Sequence, residues 1–140
     1  LLGAGTHAST FGGTPLGCAV ALKVFEVIER DGLADNARNL GEWLKGELQR
    51  LVNLYPSVLR SVRGLGFMLG LEIAEKETIP AFAASDKPAA TQFVNRLHEA
   101  GLLTIPSGNQ VFRLLPPLNL ARAQAEEGIA ILERVVRGLV

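Results

Sequence analysis

After Pro56 the sequence turns from helical to extended character, and this change constrains the fold more than any other stretch. Val58 to Arg63 and Phe67 to Ile73 read as two short strands joined around Gly64-Leu65-Gly66, which is a hairpin signal. Two helical stripes precede it. Leu16, Val20, Val24, Val27 and Ile28 recur at helical spacing until Asp31-Gly32. Leu33, Ala37, Leu40, Leu44, Leu48 and Leu51 then form a second stripe, with Trp43 beside it as a packing residue. Pro15 suits the first helical position with Thr14 as its cap. Beyond the hairpin, Glu75 to Pro88 reads as a solvated surface connection. Phe93, Val94, Leu97 and Ala100 mark a third helix that stops at Gly101. Leu102 to Ile105 and Gln110 to Leu115 follow as strands around Pro106-Ser107-Gly108-Asn109, and Ala125, Ile129, Leu132, Val136 and Leu139 make a last amphipathic helix. Short consecutive strands between helices predict an α+β fold, a small antiparallel sheet covered by helices on one face. A regulatory ferredoxin-like module would share part of this order, so the fold by itself selects no function.

The 140 residues suit one compact domain, and 48% apolar content with a mean hydropathy of +0.24 supplies a core. Fourteen basic residues balance fourteen acidic ones without a basic run, which argues against nucleic acid or an anionic membrane as partner. Apolar runs shorter than the ~20 residues of a membrane span predict a soluble chain. A single cysteine excludes an internal disulfide and fits a reducing, cytoplasmic compartment. Cys18 reads as a small buried hydrophobe, and no metal site is expected. With no initiator methionine, the chain reads as a piece of something longer.

Chemistry concentrates in the run from Gly5 to Ala19, where hydroxyls and glycines sit in a loop that leads into a helix. Glycines let backbone approach a ligand, hydroxyls donate to phosphate oxygens, and the helix start adds free N–H groups. A tight loop without a ligand is the simpler alternative. Arg113 is the other candidate, because a guanidinium inside Val111-Phe112-Arg113-Leu114-Leu115 interrupts an apolar strand and calls for an anion. That anion is either a ligand or an acid of the protein itself. His7 and His98 are read as structural and surface residues, and Arg63 as a residue that helps hold the hairpin.

His7-Ala8-Ser9-Thr10-Phe11-Gly12-Gly13-Thr14-Pro15-Leu16 resembles the His-x-Ser-Thr-Phe-Gly-Gly-x-Pro-Leu run of the class III pyridoxal-phosphate aminotransferases, the group containing acetylornithine and ornithine aminotransferases. It departs from the family at Thr14, where asparagine is more usual. Val62-Arg63-Gly64-Leu65-Gly66-Phe67-Met68-Leu69-Gly70-Leu71-Glu72 is similar to that family's hairpin, and Gly101 to Pro106 with Val111 to Asn119 resembles its closing segment, leaning toward the acetylornithine type. The resemblance implies the C-terminal portion of a fold-type I enzyme: residues 1–32 a cofactor-phosphate loop and linking helix, 33–140 the small C-terminal domain. It gives Thr10 to the phosphate of pyridoxal phosphate in the neighbouring subunit of a homodimer, Ser9 to the vicinity of the substrate, and Arg113 to the substrate carboxylate. The lysine that holds the cofactor would lie upstream in a large domain, so this chain is expected to contain no catalytic residue and to be inactive by itself. The implied reaction moves the δ-amino group of N-acetylornithine to 2-oxoglutarate. Another ω-aminotransferase, of the ornithine or 4-aminobutyrate type, and a non-catalytic ligand-binding module remain as alternatives.

Overall fold

A computed structural model describes Gly3, Gly5 and residues 9–140. It divides into two compact units, Leu1–Ala34 and Asp35–Val140, each described by itself.

In the first unit, Thr14 closes the loop and starts helix α1 (Pro15–Arg30). Its Oγ1 donates to Phe11 O at 2.9 Å and accepts from Gly17 N at 3.3 Å. Threonine therefore does the capping work at the position where the sequence departs from the family pattern. The helix ends at Asp31, and Gly32 follows at φ +61°, a left-handed conformation that glycine adopts without strain. Helix α1 has no buried residue. Cys18 is exposed on it, contrary to the expectation of burial, because none of the described residues of the unit packs over that face.

The second unit is a four-stranded antiparallel sheet, β1 (Leu59–Leu65), β2 (Met68–Ile73), β3 (Ile105–Pro106) and β4 (Val111–Leu114), in the order β1-β2-β4-β3. Leu59, Leu69, Leu71, Ile73 and Phe112 are buried in one cluster with Leu44, Leu48 and Leu51 of α2 (Leu33–Leu54), Phe93 and Leu97 of α4 (Ala89–Glu99), and Ile129, Leu132 and Val136 of α5 (Arg122–Arg137). All three helices thus serve one face of the sheet. Leu59 and Val62 face this core although they are three positions apart, which in a regular strand would put them on opposite faces. A bulge between Leu59 and Ser61 absorbs the extra residue and keeps both inward. Phe93 stacks on Phe112 at 4.9 Å between centroids, and Phe82 meets Phe93 edge-on at 6.5 Å.

Four expectations need correction. The hairpin turn falls at Gly66-Phe67, two residues later than expected, and Phe67 leaves the strand to pack with Leu40 and Ala125. The connection after β2 is no solvated loop: a 3₁₀ turn (Lys76–Thr78) and a short helix α3 (Pro80–Ala83) bury Ile79 and Phe82 against the core. Charged neighbours masked two apolar residues whose burial required a fold to be seen. The strand expected over 102–105 shortens to Ile105–Pro106. The His98 ring Nε2 lies 3.1 Å from the Thr104 N–H and 2.8 Å from Thr104 O, so His98 ties this entry into β3 instead of being plain surface. Trp43 packs as expected, and the Arg122 guanidinium lies 3.6 Å from its ring centroid.

A polar network ties α2 to α5 in the helical layer. Arg50 of α2 bridges Glu47 at 2.9 Å and Glu133 of α5 at 3.0 Å, and Arg137 joins Glu133 at 3.2 Å. The hydrogen bond from Arg50 is the chief reason that the Glu133 carboxyl sits below its ordinary range. A depressed carboxyl contributes stability above its unfolded pKa, and that contribution disappears as the pH falls through the folded value. Glu133→Gln is accordingly expected to cost about 1 kcal/mol or less at neutral pH, since the network is partly exposed. The deficit should vanish as the pH falls through and below the usual carboxylate range near 4, read from urea midpoints of both proteins across pH.

Helix α2 also touches the hairpin turn through glycine. A Cβ on Gly41 would lie 2.5 Å from the carbonyl of Gly66, whereas one on Gly46, five residues along the same helix, meets nothing within 4 Å. Gly41→Ala is expected to destabilise by about 1–3 kcal/mol through overpacking. Gly46→Ala is expected to stabilise by about 0.5–1 kcal/mol through helix propensity. Opposite shifts of urea midpoint, at unchanged denaturant slope, check both.

Candidate functional site

In the first unit, Ser9 and Thr10 open a turn that the loop's own hydroxyls hold together. Ser9 Oγ accepts from Gly12 N at 3.0 Å, and Thr14 Oγ1 is committed at the helix start. Gly13 lies at φ +78°, which lets the chain reverse into α1 without a side chain in the way. The Thr10 hydroxyl is exposed and has no hydrogen-bond partner among the described residues. It is the hydroxyl of this turn that remains fully available to a ligand. Ser9 keeps its own proton to donate while its oxygen braces Gly12. His7 lies outside the described residues.

In the second unit, alternation along β4 decides the position of Arg113. Phe112 points into the core, so Arg113 points to the open face of the sheet, where it is exposed. No acid pairs with it among the described residues. Register places Arg113 opposite Gly70 of β2, and Gly70 opposite Arg63 of β1, so one row reads Arg63, Gly70, Arg113, with Ile105 of β3 beyond. The next row reads Ser61, Glu72, Val111, where Ser61 Oγ donates to Glu72 Oε2 at 2.7 Å. On the other side stand Leu65 and Met68, both exposed. The open face therefore offers two cations beside an apolar strip. Sequence reasoning found Arg113 from its apolar neighbours. It left Arg63 aside because nothing in the sequence states which residues of separate strands share a row.

The four lysines show no group poised for covalent chemistry. Lys23 pairs with Glu26 at 2.7 Å, Lys45 donates to Gly64 O at 3.1 Å, Lys76 donates to Ser85 O at 2.8 Å, and Lys87 is exposed. Among the described residues no three His, Cys, Asp or Glu side chains are grouped to hold a metal ion. No helix among them is long and apolar enough to cross a membrane. An apolar cleft lined by Leu44, Leu102, Leu114, Leu120 and Ile129 brings only Gln124 as a polar side chain, which suits packing better than chemistry.

The Aminotransferase class-III family matches residues 1–136 of the chain. The acetylornithine aminotransferase of Synechocystis sp. is 38% identical over 136 residues, covering 97% of this chain and 30% of that protein. The ornithine aminotransferase of Bacillus subtilis is 36% identical over 133 residues, covering 95% of this chain and 29% of that protein. A crystal structure of acetylornithine aminotransferase from Elizabethkingia anophelis superposes with a TM-score of 0.81 at 30% identity, covering 98% of this chain and 32% of that one. Matched by the family over residues 1–136 and by these relatives over nearly its whole length, the chain belongs to the class-III aminotransferases, a pyridoxal-phosphate-dependent family, and spans about 30% of the length of the relatives it matches.

Proposed function

We propose that the whole protein transfers the δ-amino group of N-acetylornithine to 2-oxoglutarate, a step of arginine biosynthesis, as a cytoplasmic homodimer. In this reading residues 1–32 supply the cofactor-phosphate loop and linking helix, and 33–140 form the small C-terminal domain. Ornithine as donor is the second reading, because relatives of both types match the chain at similar identity. The observation that carries the proposal is Arg113: an exposed guanidinium, without an acid partner among the described residues, at the centre of an otherwise apolar strand. Such a group is available to a carboxylate at no cost in a broken ion pair. Planar guanidinium and planar carboxylate match in a two-point grip that fixes orientation as well as position.

The turn at Ser9-Thr10 fits a phosphate by its donors. Thr10 offers an uncommitted hydroxyl, and Ser9 Oγ as acceptor and Thr14 Oγ1 at the helix start brace the turn, so the donor is presented by a shape that the loop maintains itself. Pyridoxal phosphate, when bound, supplies the electron sink that makes amino-group transfer feasible. This chain's residues bind and orient. Thr10 holds the phosphate by a charge-assisted hydrogen bond, Ser9 lies near the substrate, and Arg113 holds its carboxylate. Because every lysine here is either engaged or exposed, the group that carries the cofactor covalently belongs to the remainder of the protein, and this chain in isolation is expected to be inactive.

Two outcomes test these roles in the whole protein. Thr10→Ala is expected to weaken cofactor retention by about ten- to a hundredfold, the value of one hydrogen bond to a charged group, with turnover largely restored at saturating cofactor. Equilibrium dialysis against the cofactor reads it, and an unchanged affinity removes Thr10 from the site. Arg113→Lys is expected to keep the cofactor spectrum and the melting temperature, because no protein partner is lost. It should lower kcat/KM for substrates bearing an α-carboxylate by about thirty- to a thousandfold. Near-normal kinetics with a lowered melting temperature would assign Arg113 to structure instead.

A further inference from the structure

Of the ten arginines, eight have a partner within the fold. Arg30, Arg38, Arg50, Arg122 and Arg137 meet acids, Arg60 and Arg134 donate to backbone carbonyls, and Arg96 lies over the Phe82 ring. The two for which the described residues provide no hydrogen bond, ion pair or ring contact are Arg63 and Arg113. They come from strands that are not neighbours, yet register sets them in the same row of the open sheet face, one on each side of Gly70.

Glycine between them leaves the middle of the row without a side chain of its own. Any side chain at Gly70 would stand between the two guanidinium stems. With none there, the side-chain atoms nearest to where a Gly70 Cβ would be are Val111 Cγ1 at 3.4 Å and Arg63 Cγ at 4.0 Å, so the Arg63 stem borders the glycine. Two strand spacings separate the Cα atoms by about 9–10 Å, a span that two arginine side chains extended inward from both ends can close over the middle strand. Like charges so placed repel unless an anion joins them. The nearest acid in the face, Glu72, is held by the Ser61 hydroxyl and makes no ion pair with either arginine. The row therefore presents two cations with no acid paired to either among the described residues, bordered by the exposed apolar side chains of Leu65 and Met68.

We propose that Arg63 and Arg113 together clamp one substrate carboxylate over Gly70, so that Arg63 is a second binding residue for the group that Arg113 holds. This rests on the carboxylate-binding role proposed for Arg113 and adds to it a partner from the hairpin. The apolar border suits the methylene chain of a short dicarboxylate, whose other end is left for the rest of the protein.

The test uses the whole protein and glutarate, a five-carbon dicarboxylate that lacks the amino and keto groups and so cannot react. Calorimetric titration is made on the unmodified protein, on Arg63→Met and Arg113→Met, which keep apolar stems, and on the double variant. Each single change is expected to weaken glutarate about tenfold or more, and the double variant should be at most about threefold weaker than the worse single one, because both guanidiniums act on one carboxylate. Arg63→Lys should recover part of the loss, and melting temperatures should stay together. The clamp is overturned if Arg63→Met leaves glutarate affinity within twofold, if the two losses multiply independently, or if the unmodified protein binds no glutarate. If Arg63→Met melts lower, Arg63→Gln is titrated in its place and judged by the same criteria. Turnover of N-acetylornithine is measured separately. Coupled glutarate binding without that turnover would keep the clamp and remove the proposed reaction, whereas turnover without coupling would do the reverse.

Discussion

One-sided burial of the sheet is the constraint on which the rest of the second unit depends. Leu59, Val62, Leu69, Leu71, Ile73 and Phe112 all turn toward the helices, and the pleat then commits their neighbours to the opposite face. Each inward side chain removes apolar surface worth about 1.5–3 kcal/mol from water, so a one-residue slip in any strand would expose several at once. Arg63, Gly70 and Arg113 need no interaction of their own to reach the open face. They are held there by what lies behind them.

The same logic accounts for the hairpin's precision. A bulge at Arg60 corrects the phase of β1, Gly66 turns the chain at φ +55°, and Gly41 allows α2 to press against that turn with no side chain between. Lys45 adds a hydrogen bond from the helix to Gly64 O, and Phe67 anchors the turn in a second small cluster with Leu40 and Ala125. A turn fixed from three sides leaves little freedom in β1 and β2. Residues on a stiff strand pair are positioned more closely than residues on a free loop, a property that the proposed carboxylate clamp requires. The first unit solves its own positioning differently: Ser9 and Thr14 spend their hydroxyls on the loop, which leaves Thr10 to face outward.

Much of this was legible in the residues. Helical periodicity located α1, α2, α4 and α5, and the apolar stripes that α2, α4 and α5 bury. Pro15 with Thr14 marked the start of α1, and the three family-like runs led to the class-III aminotransferases, to which the chain belongs. What could not be read were burials that local polarity conceals. Ile79 and Phe82 sit among charges and small residues, so their segment looked solvated, yet the core closes over both. Cys18 looked buried because its helix is apolar, but apolar character states a tendency, and the described residues place nothing over it.

The sequence by itself determined which segments are helices and strands, which residues are apolar enough to make a core, and which family the chain resembles, because those properties are carried by neighbours within a few positions. Only the tertiary structure decided which residues of separate strands stand side by side. Arg63 and Arg113 are 50 positions apart and carry no mutual signal along the chain. Their shared row follows from β1 pairing with β2 and β2 with β4, in a register set by the sum of inward apolar contacts. Register is a property of the whole sheet, and no single strand contains it.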